Sequence, residues 1–128
     1  MPDLAFRDGV MERIRLRESR YDEQAYLFVL SALELSQAKL DARRHITAAE
    51  LALSCRELAL ERYGLMSRLV LERWGVRATS DFGDIVFALI DLGFLVKQPN
   101  DTREEFSAVY DFERAFERDY PWDSTHYA

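Results

Sequence analysis

This sequence predicts a mainly helical α+β fold: a single domain with N-terminal helices packed on a winged-helix-like unit, closed by a short C-terminal β-ribbon. Three observations carry that expectation. At 128 residues, 48% hydrophobic and 31% charged, the chain has enough apolar material for one core and is short for two. Apolar residues recur at helical spacing in runs that each stop at a glycine: Gly64, Gly75 and Gly93. Past Gly93 the pattern changes to alternation, which is the spacing of a strand. The domain is expected over residues 1–119, with the winged-helix-like part at about 45–112 and residues 120–128 as a tail.

The first helix is expected over 3–17, where Leu4, Phe6, Val10, Met11 and Ile14 share one face and Gly9 is a weak point. A second helix opens at Tyr21-Asp22. Asp22 can accept from the free N–H groups, and Tyr21 can reach Tyr26 as a hydrophobic staple. It runs to about residue 40, and its apolar arc is wide enough for contact on two sides. Thr47-Ala48-Ala49-Glu50 is a capping box, so a third helix follows to Tyr63. The next two runs, 65–74 and 82–92, give a short helix and a final one. In the final one, Asp81 and Asp84 face the positive helix start, and Phe82, Ile85, Val86, Leu89 and Ile90 face the core.

After Gly93, the β-prone Phe94-Leu95-Val96-Lys97, the turn chemistry of Pro99-Asn100-Asp101 and the alternating Phe106, Ala108, Tyr110 and Phe112 predict the ribbon. Its loop, about 98–105, would be the wing, with Arg103 as its only cation. A short helix is expected around 113–118. The blocks YDEQAYLFVLSALELSQ, RHITAAELALSCRELALERYG, WGVRATSDFGDIVFALIDLGFL and VYDFERAF resemble a family of small bacterial hypothetical proteins of unknown function. The likeness covers about 14–116 and implies no activity. It departs at Leu65, where the family is expected to carry proline after the glycine.

Charge points away from conventional DNA reading. The net charge is −6, and it is uneven: 13 Arg and Lys oppose 12 Asp and Glu in residues 1–80, but 4 oppose 11 in 81–128, giving +1 and −7. The run 82–92, where a winged-helix protein keeps its recognition helix, has no basic residue. Arg13, Arg17 and Arg20, with Arg43 and Arg44, are the candidate phosphate contacts, but Glu12, Glu18, Asp22 and Glu23 interleave with the first three.

Catalytic constellations are thin. His45 and His126 share no metal spacing, and the single cysteine, Cys55, sits between Leu51 and Leu58 on an apolar face where a thiol behaves as a small hydrophobe. No metal, cofactor or catalytic residue is expected. The expected role is a non-enzymatic adaptor. Phe87, Tyr110, Tyr120 and Trp122 would anchor a basic or nucleic-acid-associated protein partner inside an acidic rim. The alternative is a nucleic-acid-binding protein or winged-helix transcriptional regulator using the N-terminal arginines, and an enzyme whose site is assembled across chains is a third class. With no apolar run of membrane-spanning length and an acid-containing N-terminus, the cytoplasm is the expected compartment. The oligomeric state is left open.

Overall fold

The computed structural model describes residues 20–40, 44–95 and 102–118. Among them are four α-helices and no strand: α1 (Glu23–Ala38), α2 (Ala48–Tyr63), α3 (Ser67–Arg73) and α4 (Thr79–Asp91). A 3-10 turn, Gly64–Met66, joins α2 to α3, and a second, Arg103–Phe106, lies against α4. The expected first helix at 3–17 lies outside the described residues.

Local chemistry accounts for each start. Asp22 caps α1 by accepting from the Gln24 N–H at 2.8 Å. Tyr21 meets Tyr26 edge-to-face with ring centroids 6.2 Å apart, which is the expected staple. α2 begins in the capping box: the Glu50 N–H donates to Thr47 Oγ1 at 3.1 Å, and the Thr47 N–H to Glu50 Oε1 at 2.9 Å. α4 starts one residue before Ser80, and its N-cap, Ala78, has no side-chain oxygen to offer. Asp81 does the work instead, accepting from the N–H groups of Arg77 at 2.8 Å and Ala78 at 3.1 Å.

The stop between α3 and α4 depends most on its glycine. Gly75 has φ +92°, and a Cβ there would stand 2.8 Å from the Arg20 carbonyl oxygen. That closeness lets the chain entering α1 lie against the corner, where the Asp22 N–H donates to the Trp74 carbonyl at 3.0 Å.

One cluster of buried side chains runs from Tyr21 to Phe116. α1 and α2 bury Ala25, Ala32, Cys55 and Ala59 there, and the buried Ser36 and Ser54 bond to each other between the two helices. Phe28, Tyr63 and Trp74 form an aromatic group joining α1, the end of α2 and the end of α3. α4 buries Phe82, Gly83, Ile85 and Leu89, with Val86 and Ile90 half-buried beside them. Gly83 is smooth because Phe106 lies directly on it: an added Cβ would be 2.9 Å from the Phe106 ring.

The C-terminal segment differs from the expected ribbon. Residues 103–106 form the 3-10 turn, Ala108 takes φ 52°, and the chain re-enters a helical turn at Phe112 that continues as a π-type turn over Arg114–Arg118. The physical reason lies on α4. The buried Thr79 hydroxyl donates to the Phe106 carbonyl at 2.5 Å and accepts from the Val109 N–H at 3.1 Å. Backbone groups that a partner strand would have paired are satisfied by a side chain instead. Alternation fails as well: Phe106 and Phe112 are buried while Ala108 is exposed. Val96, Lys97 and the expected wing tip at 98–101 lie outside the described residues.

Candidate interaction surface

Of the expected phosphate contacts, Arg20 and Arg44 lie among the described residues, and carboxylates hold both. Arg20 faces α4. Its guanidinium is 2.7 Å from Asp84 Oδ2 and 3.1 Å from Asp81 Oδ1, and it lies over the Tyr21 ring at 4.7 Å. Tyr21 completes the group, with its hydroxyl 2.6 Å from Asp81 Oδ1 and 3.1 Å from Asp84 Oδ2. A phenol has one proton, and the shorter contact receives it.

Burial acts to raise the Asp81 pKa, but the Tyr21 hydroxyl, the Arg77 and Ala78 N–H groups and Arg20 outweigh it, and the carboxyl is held below its ordinary range. Tyr21 is pushed up by burial and by the bond to Asp81, so it stays a donor. A phosphate arriving at Arg20 would meet a guanidinium whose Nη2 is already shared by two carboxylates.

Arg44 is similarly held. Its two terminal nitrogens reach Glu50 Oε1 at 2.9 Å and Oε2 at 2.6 Å. This fork, with the Thr47 N–H, takes the Glu50 pKa down to about 2. Arg13, Arg17 and Arg43 lie outside the described residues, as do Tyr120 and Trp122.

Of the other aromatic candidates, Phe87 is half-buried on α4 and packs against the core. Tyr110 points inward. Its hydroxyl donates to the Ala52 carbonyl at 2.7 Å, its ring stacks on Phe112 at 6.0 Å, and Phe116 meets it edge-on. Cys55 is fully buried, and burial pushes its thiol pKa well up, so it carries no thiolate at neutral pH. His45 is exposed ahead of the capping box. No group of three or more metal-ligating side chains occurs among the described residues, and no described helix is long and apolar enough to cross a membrane.

Two surfaces remain. Along 104–117 the carboxylates Glu104, Glu105, Asp111, Glu113 and Glu117 are all exposed. At the α2–α3 corner, large apolar side chains face water: Leu65 is 50% exposed, Met66 54% and Leu69 53%. The corner escaped the sequence reading, although its signal was present. Leu65, Met66, Leu69, Val70 and Leu71 are more apolar residues than a seven-residue helix and its entry turn can bury on one side, and only Leu71 is buried. Comparison with family models, curated proteins and solved structures finds no match for the chain.

Proposed function

We propose that the chain is a non-enzymatic protein-interaction protein that presents an acidic surface to a basic partner, including one that itself sits on nucleic acid. One observation carries this reading: the five carboxylates of 104–117 all reach solvent, and Arg114 is the one exposed cation among the described side chains of that stretch. Complementary charge steers encounter and fixes orientation. Anchoring would fall to Phe87 at its exposed edge and to Tyr120 and Trp122, which follow the acidic stretch in sequence. The protonated, buried Cys55 favours the non-enzymatic side of the reading. The likeness to small bacterial proteins belongs with this proposal and adds no activity to it.

The alternative winged-helix reading of 45–112 draws support from the order α2, α3, α4 with short corners. In that reading α4 is the recognition helix, and it carries Asp81, Asp84 and Asp91. Nucleic-acid binding would then rest on Arg13, Arg17 and Arg43, because carboxylates already hold Arg20 and Arg44.

Capture of the full chain from cells that express it, with and without nuclease, separates the readings. A basic protein retained through nuclease and lost on Glu104→Lys with Glu113→Lys is the expected result. A partner released by nuclease and by Arg13→Glu with Arg17→Glu would replace the adaptor reading with nucleic-acid binding.

A further inference from the structure

The apolar corner between α2 and α3 adjoins the place where the described C-terminal segment stops. Phe116 is fully buried and fixes the turn Arg114–Arg118 against α3. The next residue, Glu117, is tied to that helix, its Oε1 accepting from Arg68 Nη1 at 2.7 Å. Arg68 follows Leu65 by three positions and directly precedes Leu69, so the described segment stops one residue beyond a tie to the corner itself. Leu65, Met66 and Leu69 are the large apolar side chains that face water there.

We propose that residues 119–123 of the same chain pack back on this corner, with Tyr120 and Trp122 covering Leu65, Met66 and Leu69. Length permits it. Tyr120 and Trp122 stand three and five residues beyond Glu117, a reach of about 10 and about 17 Å at about 3.4 Å per extended residue, and Leu65 and Leu69 are about one helical turn apart. Chemistry favours this occupant as well. Pro121 biases the residue before it away from helix and toward extended backbone, and an extended chain brings residues two apart to one side. Two aromatic rings against two leucines and a methionine bury apolar area on both partners, and a thioether sulfur is a favourable neighbour for a ring edge. Asp119 and Asp123 bracket the aromatic pair, and no cation lies between them. Arg62 and Arg73, exposed at the ends of α2 and α3 and in no ion pair among the described residues, can receive those carboxylates; Glu61, exposed beside Arg62, offsets part of that attraction. The packing concerns the free chain and does not depend on the function proposed above; a partner that uses Tyr120 and Trp122 has to take them from this corner.

Nuclear Overhauser contacts in the full chain test it, with Trp122→Phe assigning the Trp122 indole signals. The expected result is a set of contacts from that indole to the methyl groups of Leu65, Met66 and Leu69. These contacts should be lost in Leu69→Asp and, separately, in Met66→Asp, while the ring contact of Phe82 with Phe112 is retained as the sign that the core is intact. Both substitutions fall on side chains exposed among the described residues, so the core does not rest on them. Three results would each overturn the proposal: an indole without such contacts, contacts that survive either substitution, or contacts that appear only between labelled and unlabelled chains. The last would put the segment on a second copy instead.

Discussion

Where α1 meets α2, two buried serines bond to each other among buried alanines; where α4 meets the C-terminal segment, the contact is built from Phe82, Phe106, Phe112 and Phe116. Both are fully buried, but they fail in opposite ways. Small residues let two backbones approach closely and leave no room for growth. Aromatic rings hold a short, irregular segment on a helix by filling volume, and their loss leaves a void. The helical pair also satisfies its own backbone, whereas residues 106–109 depend on the Thr79 hydroxyl.

Truncation on the aromatic side should have the largest effect. Phe116→Ala removes a fully buried ring that meets both Tyr110 and Phe112 edge-on, and should lower unfolding free energy by about 3–5 kcal/mol in urea titration. The mirror experiment is enlargement at the other contact. Ala32→Leu, at a side chain with no exposure, should lower stability by about 1–3 kcal/mol, while enlarging an exposed position such as Ala49 should be nearly neutral.

Thr79→Val tests the C-terminal clip with shape nearly preserved. It leaves the Phe106 carbonyl and the Val109 N–H without their partner, and a loss of about 1–2 kcal/mol is expected, with amide exchange at Val109 speeding up more than exchange in α2. At the helical contact, Ser36→Ala alone strands the Ser54 hydroxyl and should destabilise by about 1 kcal/mol; adding Ser54→Ala should recover part of that loss.

The smallest effects concern acid. Hydrogen bonds hold the Asp81 carboxyl low, and the Arg44 fork takes Glu50 from 4.5 to about 2. A depressed carboxyl pKa in the folded state contributes stability above the unfolded value, and that contribution is lost as pH falls through the folded value. The melting-temperature difference between the native chain and Glu50→Gln should therefore be full at neutral pH, shrink below about pH 4.5 and close toward pH 2. Asp81→Asn should also differ most at neutral pH and converge in acid; a difference that grows on acidification would contradict the sign.

The parts of this fold legible in the sequence are those whose partners are close along the chain. The Asp22 cap, the Tyr21–Tyr26 staple and the Thr47–Glu50 box each join residues within five positions of one another, so the residue types alone imply the bonds. The periodic runs between the glycines imply the helices for the same reason. The candidate site was less legible. Arg20 belongs to a basic cluster on the page and to a pair of carboxylates in the structure, 61 and 64 positions away. Tyr110 looks like a surface anchor and is directed inward by the Ala52 carbonyl.

By itself, then, the sequence determined the four described helices to within about a turn, and the acidity of the C-terminal half, because period, caps and charge are local or additive. Tertiary structure decided that 106–112 is a clipped turn, that Arg20 and Tyr21 close onto α4, and that Leu65, Met66 and Leu69 face water. Each of those depends on which distant group satisfies a backbone atom, neutralises a charge or covers an apolar face, and only the packed chain supplies that group.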